Sequence, residues 1–333
     1  MRGEKNSITD VRSVRVGHLS FHRDIPDSSG QVIAARTGLT AVLPYPMEKE
    51  MRLFFASYSL RGRLEVTGFE VTEDFCYLNS PLVITNSFNL GKVYDTILSY
   101  GFALNRDEIW PPVVIGLNDS YLNGMDRECF EEDLILRTFR EAVDGKLEEG
   151  SVGIGTGLRA LGRKGGIGTS SRRVSIGDQG FTCGVLAASH FGNPRSPEKE
   201  TAAGRKGEEE GALIAITALD VPLLPHQLQR VTRSLVARLD RLVPAGNFRD
   251  SILGLTFTTA NAMGMSDQGP LEFRFQALAD HHEGKITAAV FEAAEEAVLN
   301  SLLKARPVRG RSGRLLETIP ESELAGIFEK KEA

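Results

Sequence analysis

Five stretches of the chain carry residue types that could do chemistry. Gly155-Thr-Gly157-Leu-Arg-Ala160 has glycine spacing like that of a dinucleotide-binding turn. That turn needs an unbroken helix after its glycines, and Gly162, Gly165 and Gly166 would break one. Gly162-Arg163-Lys164-Gly165 fails as a phosphate-binding loop, because a Ser or Thr must follow the lysine. Tight turns with close backbone approach are the better reading of these glycines. His281-His282-Glu283 suggests metal ligation, but adjacent helical residues point about 100° apart and rarely share one ion. A solvated loop before a long helix suits them better. His226, after Pro225, serves a helix start, and Glu208-Glu209-Glu210 is a solvated charge run. No Gly-x-Ser-x-Gly elbow is present, which removes the α/β-hydrolase arrangement.

The elements that must position any site alternate without strict βαβ order. Residues 14–19, 38–43, 81–87 and 112–117 read as strands rich in β-branched residues. Residues 181–188, 212–218 and 252–259 read the same way. Helical spacing appears over 90–100, 129–143 and 224–242, the last with apolar residues at 224, 228, 231, 235, 239 and 242. A further helix spans 286–303, with Ile286, Val290, Ala294, Ala297 and Val298 inward, and a last one covers 321–329. This mixture predicts an α/β (α+β) fold of stacked sheets with helices outside. Residues 193–211 are polar and charged, which marks an exposed linker inside a single domain spanning 1–333.

Composition narrows the function classes. The chain has 333 residues, 41% hydrophobic and 25% charged, with a formal net charge of −5, so it can bury a large core and lacks the basic balance of a nucleic-acid binder. Cys76, Cys129 and Cys183 are odd in number and far apart, which favours reduced thiols over disulfides or a zinc site. No apolar stretch is long enough to cross a bilayer and no signal peptide is visible, so the cytoplasm is the expected location. No pattern implies a metal, nucleotide or flavin cofactor.

Several segments together resemble the DmpA/BapA family of self-cleaving aminopeptidases, which are N-terminal-nucleophile-type hydrolases. They include Ile8-Thr-Asp-Val11, Val14-Arg-Val-Gly-His18, Arg36-Thr-Gly38 and Ile84-Thr-Asn-Ser87. Further along come Lys164-Gly-Gly-Ile-Gly-Thr-Ser-Ser-Arg172, Asp220-Val-Pro-Leu-Leu-Pro-His-Gln-Leu228, Phe257-Thr-Thr-Ala-Asn261 and Glu295-Glu-Ala-Val-Leu-Asn300. The resemblance runs over nearly the whole chain in the family's order. It implies a four-layer αββα sandwich, assembly as a homo-oligomer, often a tetramer, and a small amino-acid-like or peptide ligand; the charge balance and the lack of an apolar span point to no nucleic-acid or membrane partner. Members of the family cut themselves before a serine at the start of a central strand, and the freed serine then attacks amides or esters.

The same resemblance puts Ala212 at the nucleophile position, and a methyl group can attack nothing. His190 stands where the family has an asparagine expected to bind an oxyanion, and Asn118 where it has a tyrosine. Asp250 falls on the first position of a Ser-Gly-Asp/Glu segment that supports the nucleophile. Gly165, Gly166, Gly168, Thr169, Ser170 and Asn86 are the positions expected to wall the pocket, with a plain turn and strand start as the alternative for the glycines. Three readings follow. The pocket runs another reaction with His190 and Asp250 as base and Asn118 as anchor; or it binds a ligand without turnover; or the chain is an engineered serine-to-alanine precursor of an ordinary aminopeptidase or amidase.

Overall fold

The computed structural model describes residues 1–26, 30, 32–61, 64–104, 111–124, 130–192, 211–243, 250–264, 270 and 272–324. The first part of the chain forms β1 (Arg15–Pro26), β2 (Val32–Leu43), β3 (Met51–Leu60), β4 (Glu65–Val66), α1 (Phe69–Phe75), β5 (Tyr77–Leu78), β6 (Leu82–Asn86), α2 (Leu90–Ala103), β7 (Val113–Leu117) and α3 (Glu132–Arg140). The second part forms β8 (Arg159–Ala160), β9 (Arg163–Lys164), β10 (Gly166–Ile176), β11 (Gln179–His190), β12 (Ala212–Leu219), α4 (Pro225–Asp240), β13 (Ser251–Thr258), β14 (Met263–Gly264) and α5 (Glu283–Leu303).

Two sheets carry the fold. One has the order β1-β2-β6-β7-β4, and the other β10-β11-β12-β13-β3-β14, with β5 pairing β3. Helices α2 and α3 lie on the first sheet, and α4 and α5 on the second. The result is the expected αββα layering. The layers are forced by burial: β6, β7, β12 and β13 are buried at every residue, so each must be covered on both faces.

The run Ala212–Leu219 illustrates the consequence. Its sequence is apolar throughout, yet its side chains divide strictly by parity. Ala212, Ile214, Ile216 and Ala218 join the core between the sheets, while Leu213, Ala215 and Leu219 join the core under α4 and α5. The helical stripe of α4 lands inward as its spacing predicts, with Leu228, Val231, Leu235 and Leu239 fully buried. In α5 the inward residues Ile286, Val290, Ala294, Ala297 and Val298 are likewise fully buried.

Some elements differ from the sequence-based expectation. Residues 51–60 form a central strand whose alternation is blurred by an unbroken apolar stretch at its middle. The helix expected over 129–143 is confined to Glu132–Arg140, and Cys129 lies outside the described residues. Residues 321–324 are helical, and the remainder of that expected helix lies outside the described residues, as does most of the 193–211 segment.

The glycine-rich centre splits into two structures. Gly153–Thr156 is a tight 3-10 turn, in line with the turn reading. Gly166–Ile176, by contrast, is an 11-residue strand, and its glycines are there because α5 presses on it. A Cβ at Gly168 would run into the Ala297 carbonyl and the Ser301 backbone. We predict that Gly168→Ala lowers stability by about 1–3 kcal/mol, since the helix must be pushed off the sheet. Urea unfolding of the full chain checks this, and an unchanged midpoint would contradict the tight β10–α5 packing.

Candidate functional site

Strand register builds the site. His190 at the end of β11 pairs with Ala212 at the start of β12, and Ala212 pairs with Ser251 at the start of β13. Directly paired residues point to the same face. By the parity described above, that is the face between the sheets. From the opposite sheet, the segment after β7 brings Asn118, Asp119 and Ser120 to the same place. The segment after β6 brings Ser87 and Phe88. The strand ends enclose a cleft of about 420 Å³, with Ala212, Ser251, Asn118, Asp119, Glu65 and Phe88 among its walls.

His190 and Asp250 both flank Ala212, but each is held by backbone groups. The His190 Nδ1 accepts the Arg159 amide at 3.0 Å. That leaves the ring proton on Nε2, and the ring also hydrogen-bonds the Asn118 backbone. Burial lowers the His190 pKa to about 4, helped by the positive charges of Arg159 and Lys164 and opposed by those two backbone bonds. The ring is therefore neutral and its lone pair is already occupied, which makes it a connector between the two walls. The Asp250 carboxylate accepts the Gly192 amide at 2.6 Å and the Gly211 amide at 3.1 Å. It ties together the two stems that flank residues 193–210. A base pair of His190 and Asp250 draws no support from these bonds.

Asn118 is exposed in the cleft wall, and its Oδ1 accepts the Ser120 amide at 3.1 Å, a local turn that orients the segment after β7. Asn86, at the end of β6, is buried. Its Nδ2 donates to Thr37 at 2.7 Å and its Oδ1 accepts from the Asn89 amide and side chain, so it caps the turn that presents Ser87 and Phe88.

The expected glycine wall is placed elsewhere. Gly165 abuts the Ser189 carbonyl, while Gly166 and Gly168 face backbone of Gly150, Ala297 and Ser301. Thr169 donates to the Val185 carbonyl at 2.7 Å, and Ser170 to the Ala293 carbonyl at 2.7 Å. These residues fasten β10 to β11 and α5 and are not among the cleft walls. Likewise His281 and His282 sit on a short turn leading into α5, and the described residues hold no group of three or more His, Cys, Asp or Glu suited to a metal.

Three cleft residues escape the motif reading. Asp119 is buried beside Thr37, Asn86 and Asn123, and desolvation raises its pKa to about 6 against the pull of hydrogen bonds from those neighbours. Its Oδ1 accepts Asn123 at 3.1 Å, while Oδ2 has no partner. Glu65 sits in β4 opposite Gly116, and its Oε2 lies 3.0 Å from where a Gly116 Cβ would be, so the glycine leaves room for the carboxylate. Phe88 is 53% exposed at the rim. The one available signal was position: Asp119 lies two residues past the end of an apolar strand, where open sheets place ligand-binding groups.

A two-sheet sandwich with a central strand beginning at a cleft is the architecture of N-terminal-nucleophile hydrolases. The l-aminopeptidase d-Ala-esterase/amidase of Ochrobactrum anthropi, described as a variant of that fold, superposes with a TM-score of 0.86 at 27% identity, covering 100% of this chain and 96% of the other. The PH0078 protein of Pyrococcus horikoshii superposes with a TM-score of 0.85 at 30% identity, covering 100% of this chain and 96% of the other. In sequence, the beta-peptidyl aminopeptidase BapA of Sphingosinicella microcystinivorans is 31% identical over 98% of this chain and 89% of its own length. Residues 6–316 match peptidase family S58, and the chain belongs to that family. No described helix is long and apolar enough to cross a membrane.

The raised Asp119 pKa has a thermodynamic consequence. Its folded value, about 6, exceeds the ordinary 3.8, so the native state holds the proton more tightly than the unfolded chain. The cost of burying the charge is complete above pH 6 and disappears as pH falls from about 6 towards 4. Relative to Asp119→Asn, wild-type stability should therefore improve by up to about 3 kcal/mol across that window. Urea unfolding at pH 4.5 and pH 8 measures it, and a gap independent of pH would refute the burial argument.

Proposed function

We propose that this chain is an aminopeptidase- or amidase-type member of family S58 that stays uncut and holds a small amino-acid-like amine in the Ala212 cleft without forming an acyl-enzyme. One observation carries the reading: at the strand start where the family chemistry needs a hydroxyl, the cleft presents the Ala212 methyl. The neighbouring groups do not replace it. The Ser251 hydroxyl is committed to the Arg61 carbonyl at 2.8 Å, and the His190 lone pair to the Arg159 amide. What remains is a recognition surface. Glu65 and Asp119 suit an ammonium group, Asn118 and Ser120 offer polar contacts, and Phe88 offers an apolar rim. Because Asp119 ionises near pH 6, an amine ligand should bind more tightly as pH rises through that value.

Assembly into a homo-oligomer, as in the resemblance drawn from sequence, is part of the same proposal. A disabled precursor of an ordinary hydrolase is the competing reading, and one experiment separates the two. Intact mass of the purified protein and of Ala212→Ser should each give a single species near 36.4 kDa. A variant that splits between Gly211 and residue 212 would show that the cutting machinery survives, and would overturn the non-covalent reading. Calorimetry with amino-acid amides tests the ligand directly, and heat-free titrations across amides and short peptides would remove it.

A further inference from the structure

Lys164 is fully buried. Its Nζ donates to the carbonyls of Gly155 at 2.5 Å, Leu158 at 2.9 Å and Gly165 at 2.6 Å. An ammonium has three N–H donors, and three backbone oxygens take them all. Its contacts are thus to neutral groups, an uncommon arrangement for a buried cation.

The carbonyls belong to one structure. β8 and β9 form a two-stranded ribbon in which Arg159 pairs with Lys164, turned at Leu161 and Gly162, both with positive φ. The Gly165 amide closes onto the Leu158 carbonyl at 3.1 Å, and the Leu161 amide reaches the Phe191 carbonyl at 2.7 Å. Between these ties the Arg159 amide meets His190 Nδ1. His190 is the register partner of Ala212, and its ring also bonds the Asn118 backbone in the facing wall.

We infer that Lys164 is a positioning residue of the Ala212 cleft: by locking three carbonyls of the 155–165 segment it fixes the Arg159 amide, and through that amide the His190 ring that joins the cleft's two walls. The functional weight of this role rests on the cleft being the ligand site, whereas the mechanical link does not.

The link is sensitive to charge. Deprotonation leaves two N–H donors for three buried carbonyls, so one carbonyl loses its partner and the ribbon must shift. Burial lowers the Lys164 pKa to about 7, which puts that event near neutrality. The rings of His190 and His22 sense the Lys164 charge, which lowers the pKa of both; Arg159 acts on the first ring in the same direction and Arg36 on the second. Asp119 is the titrating carboxyl of the cleft wall and must be controlled for.

Alanine methyl NMR of the full chain tests the inference. The Ala212 resonance, assigned by its loss in Ala212→Ser, should move with a midpoint near pH 7. The same inflection should survive in Asp119→Asn and vanish in Lys164→Met. An inflection that persists in Lys164→Met, or none in the wild type, overturns the proposal. If Lys164→Met does not fold, the wild type still decides. The Lys164 ε-methylene signal and the Ala212 methyl must share one midpoint, and two different midpoints overturn the link. Calorimetric binding of an amino-acid amide is read separately, so absent binding removes the ligand reading without touching the mechanical one.

Discussion

The hydrogen-bond register of β11, β12 and β13 is the constraint on which the rest depends. Side-chain direction alternates along a strand, so a slip of one residue in β12 would carry Ala212 from the cleft to the layer under the helices. Two interactions pin the register at the site end. The Asp250 carboxylate takes the amides of Gly192 and Gly211, which fixes where β11 ends and where β12 begins. At the other end, the Asp220 carboxylate takes the Thr182 amide at 2.5 Å, across the same strand pair. Between those anchors the apolar alternation of β12 makes any slip costly, because it would move Ile214 and Ile216 out of the inter-sheet core.

Around this frame, buried polar groups meet backbone more often than one another. Lys164 meets three carbonyls, His190 two backbone groups and Asp250 two amides. Such bonds fix geometry, since backbone partners cannot rotate away, and in a medium of low dielectric each is strong. The direction of each perturbed site group is set by burial and not by these bonds. Desolvation is the leading cause for Asp119, Lys164 and His190 alike, and it drives each towards neutrality.

How much of this was legible in the sequence depends on the kind of signal. Long periodic helices were: the stripe of α4 and the inward residues of α5 follow from spacing alone. The apolar strands 112–117 and 212–218 could be located, but their facing could not. A strand buried on both sides has no polar alternation, and the assignment of Ala212 to the inter-sheet face needs partners distant in the chain. The resemblance singled out Ala212, His190 and Asp250, which strand register and the Asp250 hydrogen bonds place side by side. It left two uses of the glycine-rich segment open, because glycine is needed equally where a ligand approaches and where a helix does, and at Gly168 a helix approaches. Asp119 and Glu65 were missed, and Lys164 was noticed only as part of a motif, for a plainer reason. A lone carboxylate or lysine has no signature until the fold removes it from water.

The methyl at position 212 acquires its meaning from these neighbours. A single exchange of serine for alanine inside an otherwise preserved hydrolase would leave donors and acceptors aimed at a missing hydroxyl. Here the groups beside Ala212 have settled into other bonds. His190 bridges Arg159 and Asn118, Ser251 donates to Arg61, and Asp250 staples two strand stems. In each of these bonds the partner is a group other than residue 212. The unpartnered oxygen lies instead on Asp119, among the residues that line the cleft. In a buried site an unsatisfied carboxylate oxygen is destabilising by itself, in keeping with the raised pKa of Asp119. The electrostatic strain of the site thus sits on the wall facing Ala212, at Asp119, and not at the strand start itself.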